Sequence, residues 1–129
     1  MTASGPERLI LTTVEDGVGV LRLNRADKRN AMSADLAHQL HEAIAALDAD
    51  ASVVAIVVTG SGGSFSAGAD MNESLAAYER GDRGFNPSAR SAARVAASPK
   101  PTIAAIEGPA VMSNVPMVFP AGVFAKMSL

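Results

Sequence analysis

Two short runs near the N-terminus, Leu9 to Val14 and Val18 to Leu23, are rich in apolar and β-branched residues and predict strands. Between them stands Glu15-Asp16-Gly17, and Asp-Gly is a strong hairpin signal, so an antiparallel hairpin over 9–23 is expected. From Ser33 the period changes. Leu36, Leu40, Ile44 and Leu47 recur at helical spacing and form one apolar stripe down to Asp48. Ser33 suits the N-cap of that helix, and Asp35 puts a negative charge in its first turn, where the helix dipole favours one.

The stretch from Val53 to Asp70, VVAIVVTGSGGSFSAGAD, opens with six apolar, mostly β-branched residues. They predict a strand buried on both faces. Thr59-Gly60-Ser61-Gly62-Gly63 then stops it, because glycine permits turns that other residues resist. Asp70 reads as the N-cap of a second helix with Glu73 three residues on, a variant of the capping box, and this helix fades near Arg80. Gly81 to Pro87 reads as a linker, and Ser88 to Ala97 as an alanine-rich helix. Pro99-Lys100-Pro101 breaks that helix and leads into a strand over Thr102 to Ile106. Strands alternating with helices predict parallel βαβ units over 33–109. The remaining residues, 110–129, are apolar without a clean period. Pro116 and Pro120 stand too close for one regular helix, so an irregular apolar tail is expected.

Composition narrows the class. A chain of 129 residues, 48% hydrophobic and 19% charged, suffices for one compact domain and is not disordered throughout. With aromatics at 4%, the core must come from Ala, Val, Leu and Ile. A net charge of −2 without a long basic run argues against nucleic acid or an anionic membrane as partner. The absence of cysteine excludes disulfides, thiolate metal sites and cysteine nucleophiles. No secretory leader and no apolar run of membrane-spanning length is visible, so a soluble, cytoplasmic protein is expected.

Small residues after a buried strand let a ligand approach main-chain N–H groups, a common way to bind an oxygen. Dinucleotide binding fits poorly, because Gly60-Ser61-Gly62 lacks the third glycine of G-x-G-x-x-G. A phosphate-binding P-loop fits no better, because no lysine lies between Val53 and Asp70. The segment Asn24 to Met32, with Arg25, Lys28 and Arg29, reads as a polar, solvated connector. His38 and His41 lie one turn apart on the first helix but have no third ligand nearby, so a surface or half-buried pair is the simpler reading than a metal site.

Four segments in order carry a family resemblance: Leu23-Asn24-Arg25 through Lys28-Arg29-Asn30-Ala31-Met32, the Val54 to Thr59 strand, Phe65 to Asp70, and Pro99-Lys100-Pro101 through Ile106-Glu107-Gly108-Pro109-Ala110. Together they resemble the N-terminal half of the crotonase (enoyl-CoA hydratase/isomerase) superfamily. The resemblance implies an α/β fold of crotonase-like (ClpP/crotonase) ββα units, present here as a truncated, partial acyl-CoA-binding domain over 1–129.

It further implies an oxyanion hole that holds an acyl-CoA thioester oxygen between two main-chain N–H groups, those of Ala69 and Ser113. Lys28, Arg29, Ala31 and Met32 match the loop along the CoA phosphates and pantetheine. Ala67, Gly68, Ala69, Asp70 and Met71 match the second cofactor-binding segment, with main chain near Ala67 meeting the adenine. CoA enters as part of the substrate, with no permanently bound cofactor and no metal. The family's homo-oligomers assemble largely through elements beyond this half. The chain departs from the family at the glycine triplet, here Met112-Ser113-Asn114, and at a hydratase glutamate, whose position holds Pro116. Two functions follow: a hydratase/isomerase-like enzyme of acyl-CoA thioesters, or a truncated non-catalytic remnant with at most weak CoA binding.

Overall fold

The computed structural model describes residues 7–107, residue 110 and residues 124–128. Its elements are β1 (Ile10–Glu15), β2 (Val18–Leu23), α1 (Ala34–Ala49), β3 (Ala55–Gly60), α2 (Met71–Glu79), α3 (Pro87–Ala97), β4 (Thr102–Glu107) and β5 (Phe124–Ser128). They build one five-stranded sheet in the order β1-β2-β3-β4-β5. β1 and β2 pair antiparallel, and every later pair is parallel. Asp16 and Gly17 both have positive φ, as the tight hairpin turns that match strand twist require.

Parallel pairing of β2 with β3 and of β3 with β4 needs crossovers, which α1 and the α2–α3 pair supply. The expected stripe on α1 is the buried one: Leu36, Leu40, Ile44 and Leu47 join Leu21, Leu23, Ile56, Val58 and Ala104 in one core. Leu21 stands beside Val58, and Val58 beside Ala104, so one apolar row crosses three strands. Leu21 and Leu36 are fully buried; truncating such a side chain to alanine typically costs about 2–5 kcal/mol.

Both ends of α1 are tied down by side chains. Ser33 Oγ accepts from the Leu36 N–H at 3.1 Å, as its N-cap role requires. At the other end the Lys100 ammonium donates to the carbonyls of Leu47 at 2.5 Å and Asp50 at 2.6 Å. A cation there satisfies carbonyls that the helix leaves open. Asp48 accepts from Ser98 Oγ at 2.6 Å and pairs with Arg94 at 3.0 Å, which docks the end of α3 beside the end of α1.

Three expectations need correction. β3 is not buried on both faces: Ile56 and Val58 are buried while the alternating positions are only half-buried, because among the described residues α1 packs on one side of the hairpin strands. Val54, expected within the strand, lies before it and is exposed. The tail is not irregular throughout, since Phe124–Ser128 forms β5 against β4, with Ile103 opposite Phe124. An edge of unpaired backbone groups on β4 supplies the partner that the local sequence does not advertise.

Candidate functional site

The loop after β2 begins with a short 3-10 turn, Ala26–Lys28. Arg29 and Asn30 then take positive φ, 50° and 56°. Asparagine tolerates that conformation better than most residues. The turn drives Asn30 inward, where it is completely buried. Its Oδ1 accepts from the Arg25 N–H at 2.9 Å, and its Nδ2 donates to the carbonyls of Ser61 at 3.0 Å and Ser64 at 2.9 Å. One side-chain amide thus binds the loop after β2 to the turn after β3. The approach is close enough to demand glycine at Gly60. A Cβ there would meet the carbonyl oxygens of Ser64 and Phe65 and stand 2.9 Å from Asn30 Nδ2.

Beyond Phe65 the second segment runs alongside the first. The Ala67 N–H donates to the Arg29 carbonyl at 2.8 Å, the Met32 N–H to the Gly68 carbonyl at 2.7 Å, and the Asp70 N–H to the Met32 carbonyl at 3.3 Å. Ser66 Oγ donates to the Asn30 carbonyl at 2.8 Å and accepts from the Gly68 N–H at 3.1 Å. Met32 and Ala69 are therefore partners in an isolated parallel bridge.

This pairing fixes where the Ala69 N–H points. It shares a peptide unit with the Gly68 carbonyl, and no described peptide bond is cis. In a planar trans unit N–H and C=O point in opposite directions. With the Gly68 oxygen turned to Met32, the Ala69 N–H is aimed away from it and donates to none of the described residues. Gly68 itself sits at φ 86°, which a side chain would strain. An N–H on a half-buried residue, flanked in sequence by Ala67 and Gly68 and oriented by its own backbone, suits an oxygen that gains negative charge.

Arg25, read from sequence as part of a solvated connector, faces inward instead. Its Nη1 lies 2.7 Å from Asp70 Oδ2 and 2.9 Å from the Ala31 carbonyl. Asp70 is buried. Burial pushes its carboxyl up, but the Glu73 N–H, the Arg25 guanidinium and the Asn72 N–H together outweigh this and hold it below its ordinary value. Asp70 also caps α2, accepting from the Glu73 N–H at 3.1 Å. Glu73 does not close a capping box on Asp70. Its carboxylate reaches the Ala34 N–H at 3.2 Å and 3.4 Å, so it serves the open N-terminus of α1 rather than its own helix.

The residues named for CoA divide into four groups. Lys28, Arg29 and Met71 are exposed, and a ligand can reach their side chains. Ala31 and Met32 are buried, Met32 within the core, so their main chain is what they can offer. The Asp70 carboxylate is engaged internally. Ala67, Gly68 and Ala69 adjoin this cluster through the bonds above. Ser113 and Pro116 lie outside the described residues, but Ala110 forms a parallel bridge with Ser66, which brings the strand exit of β4 to the same turn.

His38 is exposed and pairs with Glu42 at 3.1 Å, while His41 is half-buried. Among the described residues no three His, Asp or Glu side chains are grouped to hold a metal. An open groove between β1 and α1, lined by Leu9, Thr12, Asp35, His38 and Gln39, contains none of the cluster residues. Sequence reading missed Asn30 and Ser66 as organisers of the site. The usable signal for Asn30 was its residue type, which favours positive φ in a loop rich in turns.

The sequence matches the family model described as enoyl-CoA hydratase/isomerase over residues 13–121. An enoyl-CoA hydratase of Alternaria alternata is 35% identical over 106 residues, covering 81% of this chain and 36% of its own. A 4-chlorobenzoyl coenzyme A dehalogenase of Arthrobacter is 41% identical over 104 residues, covering 74% and 37%. The crystal structure of an enoyl-CoA hydratase/isomerase from Xanthobacter autotrophicus superposes with a TM-score of 0.71 at 32% identity, covering 79% of this chain and 39% of that one. The chain spans well under half the length of the relatives it matches. With the family match across most of its length and a partial crotonase fold bearing the Met32–Ala69 pairing, this chain belongs to the enoyl-CoA hydratase/isomerase family.

Proposed function

We propose that this chain supplies the CoA-binding and oxyanion-holding half of a hydratase/isomerase-type protein acting on acyl-CoA thioesters. The observation that carries this reading is the orientation of the Ala69 N–H, turned away from Met32 by the trans peptide it shares with the Gly68 carbonyl. As the thioester carbonyl becomes enolate-like, charge builds on its oxygen, and an N–H already aimed at it binds the transition state more strongly than the ground state. The main-chain N–H of Ser113 is proposed as the second donor. Any residue but proline has that N–H; glycine would add backbone freedom and closer approach.

Lys28 and Arg29, both exposed, are proposed to meet the CoA phosphates, with the main chain of Ala31, Met32 and Ala67 along the rest of the cofactor. CoA is then part of the substrate rather than a resident group.

The second reading, CoA binding without catalysis, is favoured by Pro116, which cannot act as the acid or base that a glutamate there would provide. Titration calorimetry with CoA tests the common ground of both readings. Measurable heat that shrinks for the Lys28→Ala/Arg29→Ala variant supports CoA recognition; no heat and no thermal shift at millimolar CoA would falsify it.

A further inference from the structure

The main-chain bonds that join the two site segments reach Ala67, Gly68 and Asp70, but none grips Ala69 itself. Its N–H is only as well aimed as the residues on either side. On one side the Gly68 carbonyl is held by the Met32 N–H at 2.7 Å. On the other, the main-chain bond from Asp70 to Met32 is long, 3.3 Å, and would be a weak anchor alone.

There the side chains intervene. Asp70 Oδ1 is occupied by the Glu73 N–H and Oδ2 by Arg25 Nη1, and the same Nη1 binds the Ala31 carbonyl at 2.9 Å. A single guanidinium nitrogen therefore ties the residue after Ala69 to the residue before Met32. Both side chains are well shielded, 19% and 9% exposed, so water screens the pair little. Gly68, at φ 86°, adds no side chain to stiffen the turn, so with only the long Asp70–Met32 bond on the far side Ala69 would be held firmly at one end alone.

We propose that Arg25 and Asp70 are a positioning pair for the Ala69 oxyanion donor: their ion pair holds that N–H in the direction the Met32 pairing gives it, without touching the substrate. The inference rests on the reading of Ala69 given above and extends it to residues with no contact to a thioester. It separates two quantities that simple loss of structure would lower together. Binding of CoA, which depends on Lys28, Arg29 and the loop surface, should survive loss of the pair. Stabilisation of an enolate should not.

The test uses the intact chain with two variants, Asp70→Asn and Arg25→Gln, and Arg25→Lys as the conservative one. Asparagine is as good an N-cap as aspartate, so Asp70→Asn keeps α2 started while removing the charge. The probes are CoA and acetoacetyl-CoA, a 3-oxoacyl thioester that ionises to an enolate with its own absorbance band. We expect CoA affinity within about threefold of the unsubstituted chain, enolate absorbance down about tenfold or more in both variants, and part of it recovered in Arg25→Lys.

Amide hydrogen exchange supplies a readout independent of ligand: the Asp70 N–H should exchange at least about tenfold faster in both variants, while the core amides of β2 and β3 hold. Unchanged exchange at Asp70 overturns the clamp whatever the ligand does. Retained CoA binding with an undiminished enolate band overturns it also, and leaves the CoA reading standing. Absence of CoA binding by the unsubstituted chain overturns that reading instead, and with it the positioning role.

Discussion

Ser66 and Ala110 face each other in a parallel bridge, although one precedes α2 and the other follows β4. Ser66 is also the residue whose hydroxyl binds both the Asn30 carbonyl and the Gly68 N–H. The loop after β2, the turn after β3 and the exit of β4 thus converge on a few residues at the C-terminal ends of three adjacent parallel-paired strands. Ligands bind at that end of parallel sheets because the connecting loops gather there and helix N-termini present free N–H groups.

Asn30→Ala should be among the most costly single changes in the loop. It removes three hydrogen bonds and leaves the Arg25 N–H and two carbonyls without partners in a part-buried site. A fully buried orphaned group costs about 1–3 kcal/mol; these three are only part-buried and water can reach them, so a loss of roughly 2–4 kcal/mol in total is expected in urea denaturation. A change below about 1 kcal/mol would show that water replaces the amide without penalty.

Gly60→Ala tests the close approach directly. The new methyl would press on the Ser64 and Phe65 carbonyls, which belong to the backbone and cannot swing aside. Overpacking of this kind costs about 1–3 kcal/mol, and the displaced turn should also reduce any thermal shift given by CoA. Wild-type melting with an intact CoA shift would contradict the geometry.

Charge recognition at Lys28 and Arg29 carries a salt signature. If these exposed cations meet phosphates, raising ionic strength from about 0.05 M to 0.5 M should weaken CoA binding several-fold. Lys28→Ala/Arg29→Ala should be weaker at low salt and nearly insensitive to salt. Parallel salt slopes for the two proteins would remove both residues from the CoA site.

Stability should fall on the acid side of neutrality, and His41 should account for part of it. Burial, then the guanidinium groups of Arg94 and Arg90, hold its imidazole below the ordinary 6.5. Its Nε2 is buried without a hydrogen-bond partner among the described residues. The folded form therefore resists protonation more than the unfolded one. That contribution is complete above about 6.5 and is lost progressively as pH falls from there through the lower folded value. Urea midpoints at pH 7.5 and 5.5 should differ less for His41→Gln than for the unsubstituted chain, as a mutant pair compared at about one unit either side of a histidine pKa. Identical differences would assign the acid sensitivity elsewhere.

Hydration of an enoyl-CoA by this chain should not exceed that of a denatured control. Pro116 provides no general acid or base, a loss worth about a hundred- to ten-thousand-fold. Met112-Ser113-Asn114 in place of a glycine triplet can misplace the second donor at a further cost of roughly a hundred- to thousand-fold. Replacing the triplet with glycines should improve binding geometry at most. Loss of the conjugated-thioester absorbance with the unsubstituted chain would reveal another acid, with Glu107 the first to substitute.

Local rules carried much of the architecture. The Asp16-Gly17 turn, the α1 stripe, the caps at Ser33 and Asp70, and the alternation of strand and helix follow from periodicity and turn chemistry, which act within a few residues. Family motifs in fixed order carried the kind of site to expect. What needed the tertiary structure is whatever depends on contacts between distant segments. Arg25 looked solvated because nothing nearby in sequence is acidic except Asp27; its partner Asp70 arrives only when β2 and β3 pair. Glu73 looked like part of its own helix cap, yet packing sets it against the N-terminus of α1. The direction of the Ala69 N–H is not encoded at Ala69 at all. It is decided by Met32 accepting and donating one residue to either side, a relation that exists only once two loops lie side by side.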